Sequence, residues 1–98
     1  MLRLMIVDDE QIIREALSSM IDYTSLGYEV IATAKNGMEA YDRIRDDYPD
    51  VVITDIKMPI LNGLELIERA SRIDSRITFI LLSGYGEFEY AKQAMKYG

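Results

Sequence analysis

Three short apolar runs, each closed by a small polar or acidic residue, constrain this chain more than any other feature. They are Leu4-Met5-Ile6-Val7 before Asp8-Asp9, Val51-Val52-Ile53-Thr54 before Asp55, and Phe79-Ile80-Leu81-Leu82 before Ser83. Continuously apolar runs of this length are what strands buried on both faces require. If the runs are neighbouring parallel strands, three carboxylates and a hydroxyl converge on the carboxyl edge of one sheet. Open α/β sheets bind their ligands at that edge. Carboxylates held so close repel one another, so they hold either protons or a metal ion. An all-oxygen, partly hydrated site suits Mg²⁺.

Between the runs the pattern changes to helical spacing, and strand–helix alternation is the mark of a parallel α/β sheet. The expected elements begin with a strand at Arg3–Val7 and a helix over Gln11–Ile21, whose inner face is Ile13, Ala16, Leu17, Met20 and Ile21. A loop over Asp22–Gly27 leads to an edge strand at Tyr28–Ala34, with Tyr28, Val30, Ala32 and Ala34 on one face. Asn36-Gly37 and Asn62-Gly63 each have Glu three residues after the Asn, followed by a helical pattern. That spacing favours a helix cap over a hairpin turn. It predicts helices over Met38–Asp47, burying Met38, Tyr41 and Ile44, and over Leu64–Arg72, burying Ile67 and Ala70. Glu65–Arg69 and Glu68–Arg72 are expected to pair on the wet face of the second of these. A last helix over Phe88–Lys96 would bury Phe88, Ala91 and Met95.

Composition narrows the chemistry. The 98 residues contain no cysteine and no histidine. That removes disulfides, thiolate catalysis, cysteine-based zinc sites and a Ser-His-Asp triad. The net charge of −6 opposes direct nucleic-acid binding by this segment. No apolar stretch is long enough to span a bilayer. Met1-Leu2-Arg3 runs straight into a strand with no leader pattern, so the expected compartment is the cytoplasm.

Val7-Asp8-Asp9-Glu10, Thr54-Asp55-Ile56-Lys57-Met58-Pro59 with Asn62-Gly63, and Leu82-Ser83-Gly84 together resemble the receiver domain of bacterial response regulators. The resemblance covers the whole chain in register. Ser83-Gly84-Tyr85-Gly86-Glu87-Phe88-Glu89-Tyr90-Ala91 and the loop at Asp22–Gly27 are similar to receivers fused to AraC-type DNA-binding domains. The resemblance implies a flavodoxin-like, doubly wound parallel sheet of strand order 2-1-3-4. It implies Asp55 as phosphoacceptor for a sensor histidine kinase. Mg²⁺ would be ligated by Asp9 directly, by Asp8 mainly through water, by Asp55, and by the backbone carbonyl of Lys57. Ser83 would hydrogen-bond the phosphoryl oxygens. The implied role is signalling in a two-component pathway rather than enzymatic turnover, with a DNA-binding output domain in the full-length protein. The family pattern continues into a fifth strand ending in Lys and a fifth helix, whereas this chain stops at Gly98. The expectation is therefore a receiver over residues 1–98 that is incomplete at its C-terminus. Its last apolar strand would then be left at the border of the sheet, open to self-association.

Other readings stand beside this one. A haloacid-dehalogenase-type phosphohydrolase also uses a strand-end Asp, but wants a second Asp where this chain has Lys57. A flavin or nucleotide binder needs a first loop that accepts phosphate, and Asp8-Asp9-Glu10 would repel it. A vestigial receiver serving only as a docking module is the remaining alternative.

Overall fold

A computed structural model describes residues 1–82. Within them the strands are β1 (Leu2–Val7), β2 (Tyr28–Ala34), β3 (Val51–Asp55) and β4 (Thr78–Leu82), all parallel and ordered β2-β1-β3-β4. The helices are α1 (Gln11–Ser19), α2 (Gly37–Asp47) and α3 (Gly63–Ile73), with a single 3₁₀ turn at Thr24–Leu26. The strand order is the one expected, and the sheet is doubly wound. Ser83 and the helix expected over Phe88–Lys96 lie outside the described residues.

The two central strands explain why the apolar runs do not alternate with polar residues. Met5, Val7 and Val52 pack under α2 and α3 with Ala40, Ile44, Leu66 and Ala70. Their neighbours Leu4, Ile6, Val51 and Ile53 face the other way, toward Leu17 and Tyr23. Leu66 and Ile44 are wholly buried, each contributing roughly 1.5–3 kcal/mol of hydrophobic stabilisation.

The edge strand departs from expectation. Register with β1 shifts between Leu4 and Met5, which pair with Val30 and Ala32, so Ile31 is an extra, bulged residue. One inserted residue reverses which face the following side chains meet. Tyr28 and Val30 therefore pack on the α1 side and Ala32 and Ala34 on the α2–α3 side, rather than sharing a face.

Helix α1 is also shorter and more exposed than expected. It ends at Ser19, leaving Met20 and Ile21 exposed instead of inward, and none of its residues is fully buried. Ser18 and Ser19 hydroxyls donate back to the carbonyls of Arg14 and Glu15. Such back-bonding weakens a helix near its end. Tyr23 then fills the core and donates its hydroxyl to Leu17 O at 2.6 Å.

Both Asn-Gly pairs do begin helices. The Asn36 side chain accepts the N–H of Glu39, and Asn62 forms a full capping box with Glu65. Because Glu65 accepts the N–H of Asn62, it serves the cap rather than an ion pair with Arg69. Arg69 instead reaches the sulfur of Met38 at 3.9 Å. Glu68–Arg72 forms as expected at 2.9 Å. In α2, Ala40 and Ile44 are buried while Met38 and Tyr41 are half-buried at the cluster's margin.

Candidate functional site

Parallel pairing places Val7 opposite Thr54. Asp8, the next residue on, therefore leaves β1 beside Asp55, the last residue of β3. Asp9 follows at the rim. One carboxylate oxygen from each of Asp8, Asp9 and Asp55 lies within 4.8 Å of the others. Opposite ligands of an octahedral Mg²⁺ are about 4.2 Å apart. The all-oxygen set thus fits a small, hard divalent cation with only minor side-chain adjustment.

The three carboxylates are not equivalent. Asp8 is 2% exposed, Asp55 is half-buried and Asp9 is exposed. The backbone N–H of Asp8 donates to Ala34 O at 3.1 Å, which ties the site to β2. Asp8 Oδ1 accepts the N–H of Glu10 at 2.9 Å. Burial pushes the Asp8 carboxyl above its ordinary value. The Glu10 N–H opposes that rise, the Asp9 charge adds to it, and the Arg14 guanidinium opposes it. Arg14 also donates from Nη1 to the Asp8 carbonyl at 2.8 Å. Its part was not read from the sequence. The available signal was a basic residue one turn into the helix that follows Asp8-Asp9.

A cavity of about 370 Å³ opens beside the carboxylates, lined by Asp9, Ile56, Lys57, Met58, Pro59 and Asn62. Its far wall is the loop between β3 and α3. Ile56 and Leu61 anchor that loop in the core, while Lys57 and Ile60 are exposed. Ile60 has φ 74°, a strained conformation for a β-branched residue. The Leu61 N–H donates across it to Pro59 O at 2.8 Å, closing a γ-turn. Two glycines let this loop settle. A side chain at Gly37 would strike the carbonyl of Leu61, and one at Gly63 would strike the carbonyl of Asp55. Of the residues singled out in the sequence, Asp8, Asp9 and Asp55 come together and Lys57 lines the cavity next to Asp9. Ser83 lies outside the described residues.

The profile of the response regulator receiver domain matches residues 4–98. This chain belongs to the response regulator receiver domain family. YesN, an uncharacterised transcriptional regulatory protein of Bacillus subtilis, is 50% identical over 98 residues, which is 100% of this chain and 27% of YesN. A solved two-component transcriptional regulator AraC from Clostridium phytofermentans is 34% identical with a TM-score of 0.90. The match covers 98% of this receiver and 74% of that chain. A CheX–CheY–BeF3–Mg²⁺ complex from Borrelia burgdorferi is 28% identical with a TM-score of 0.87, covering 99% of this chain and 72% of that one. The receiver spans between about a quarter and two fifths of the length of the curated relatives it matches. The receiver family is a signalling family. No described helix is long and apolar enough to cross a membrane.

Proposed function

We propose that this receiver accepts a phosphoryl group on Asp55 from a sensor kinase's phosphohistidine and thereby switches a DNA-binding output domain. The observation that carries the reading is the convergence of Asp8, Asp9 and Asp55 oxygens beside an open cavity. An Asp55 carboxylate oxygen attacks phosphorus in line. The P–N bond of the donor breaks, its electron pair returns to the imidazole nitrogen, and that nitrogen is protonated as it leaves. Attack by one anion on another is opposed electrostatically. Mg²⁺, when bound, supplies the positive charge that offsets this repulsion.

The chain's own residues divide the work. Asp9, whose exposure at the cavity rim supports this role, would ligate the metal directly. Asp8, buried and already accepting the Glu10 N–H, is suited to hold a metal-bound water. The Lys57 carbonyl and the Ser83 hydroxyl take the roles the family resemblance gives them, as metal ligand and phosphoryl partner. Regulatory output rests on the likeness to YesN and to the AraC regulator of Clostridium phytofermentans.

Incubation with acetyl phosphate and Mg²⁺, followed by intact-mass and peptide analysis, tests the assignment. One phosphoryl group is expected, on the peptide containing Asp55, absent in Asp55→Asn and absent when Mg²⁺ is chelated. Equal labelling of Asp55→Asn refutes it.

A further inference from the structure

Thr54 precedes Asp55 and is wholly buried in a strand that otherwise reads Val51-Val52-Ile53. Valine has nearly the same shape and no polar atom to satisfy, so a hydroxyl here needs a partner. Its Oγ1 donates to the Asp55 carbonyl at 2.9 Å, with the Met58 sulfur at 4.0 Å on its other side. One residue further, the Gly63 N–H donates to the Ile56 carbonyl at 2.7 Å, and Gly63 Cα closes against the Asp55 carbonyl. The first two carbonyls after Thr54 are therefore both held. The third belongs to Lys57, the one given to the metal in the proposed function. Peptide groups are rigid planes, so only the two backbone dihedrals of Ile56 and of Lys57 lie between the held Asp55 carbonyl and that ligand.

We infer that Thr54 is a positioning residue for the metal site: its hydroxyl fixes the peptide at which β3 becomes loop, and so aims the Asp55 carboxylate and the Lys57 carbonyl. The inference rests on the proposed metal-assisted phosphorylation of Asp55. It separates Thr54 from a residue that merely fills the core, because the two roles respond differently to removal of one oxygen. A packing role moves only the metal-free melting temperature. A positioning role moves the affinity for Mg²⁺.

Mg²⁺ affinity is measured from the rise of melting temperature with Mg²⁺ concentration, in the parent, Thr54→Val, Thr54→Ala and Thr54→Ser. The Val and Ala variants are expected to lose about tenfold in affinity, the low end for residues that orient metal ligands. The Ser variant keeps the hydroxyl and stays within about twofold of the parent. Labelling by acetyl phosphate should slow in the Val variant at low Mg²⁺ and recover at saturating Mg²⁺. Should the Val variant fold poorly, the Ala and Ser pair makes the same comparison without added bulk. Unchanged affinity on loss of the hydroxyl, or an equal loss in Thr54→Ser, overturns the role of Thr54. A parent whose melting ignores Mg²⁺ overturns the proposed function itself, and this inference with it.

Discussion

Gly63 sits so close to Asp55 that the carbonyl oxygen of one occupies the place where a side chain of the other would begin. The contact joins the first turn of α3 to the end of β3, and the Gly63 N–H strengthens it by donating to Ile56 O at 2.7 Å. Gly63→Ala must push two backbone segments apart, since the obstructing atoms are main chain and cannot rotate away. A loss of about 1–3 kcal/mol is expected from such overpacking, seen as a fall of about 4–8 °C in melting temperature per kcal/mol. Mg²⁺ binding should weaken with it. Thermal melts with and without Mg²⁺ check both effects, and an Ala variant as stable as the parent would contradict the contact.

How much of this was legible in the sequence depends on whether a feature is local. The central strands, the carboxyl-edge aspartates and both Asn caps were readable, because each rests on a contiguous run or a fixed three-residue spacing. The Ile31 bulge was not, since Tyr28–Ala34 alternates well enough by itself and the extra residue appears only in pairing with β1. Glu65 had two competing partners in the sequence, and the choice of cap over Arg69 follows from backbone geometry at Asn62. The helix expected to run to Ile21 stops at Ser19, where serine hydroxyls compete for helix carbonyls. The contacts of the Thr54 hydroxyl and of Arg14 were not legible because both are made to backbone carbonyls, and a carbonyl leaves no trace in residue identity.

The two caps make a quantitative pair. Asn62 takes part in a reciprocal box, whereas Asn36 only accepts the Glu39 N–H. Substituting either Asn by Ala should cost about 1 kcal/mol, because each removes the side-chain oxygen that accepts a backbone N–H, of Glu39 or of Glu65. Glu65→Ala should also destabilise the helix, by leaving the Asn62 N–H without its acceptor, while Arg69→Ala should have little effect. Urea melts of the four variants give the comparison. A larger loss at Arg69 than at Glu65 would mean that the ion pair, not the box, holds this helix.

Ile60 is 77% exposed and adopts φ 74°. Its side chain contributes little burial, and its backbone conformation costs of the order of 1–3 kcal/mol. Glycine accepts that conformation freely but loses more chain entropy on folding, about 0.5–1 kcal/mol. Ile60→Gly should therefore stabilise the protein by about 1 kcal/mol net. A lower denaturation midpoint in the Gly variant would show that the exposed side chain makes contacts that outweigh the strain.

Asp8 is a buried carboxylate beside Asp9 and Asp55, and that fixes the sign of a pH effect. Burial raises its pKa in the folded protein above the usual 3.8. Between that value and the raised one, the folded state binds more protons than the unfolded state. Stability therefore falls as pH rises through this window, and above it the buried charge is a constant penalty. Asp22 and Asp74 are held low by Ser25 and Arg76, and they act in the opposite direction, losing stability as pH falls. Those two contributions are common to the parent and to Asp8→Asn, so they cancel in the difference between them. Without metal at pH 7, Asp8→Asn should therefore melt higher than the parent. Its Oδ1 can still accept the Glu10 N–H, so the gain isolates the charge. That advantage should shrink as pH is lowered toward 4 and the parent's Asp8 takes up its proton. Saturating Mg²⁺ at pH 7 should narrow it from the other side, by stabilising the parent more than the variant. Melts across pH in EDTA and in Mg²⁺ test all three statements, and a metal-free Asp8→Asn no more stable than the parent at pH 7 would refute the charge penalty at Asp8.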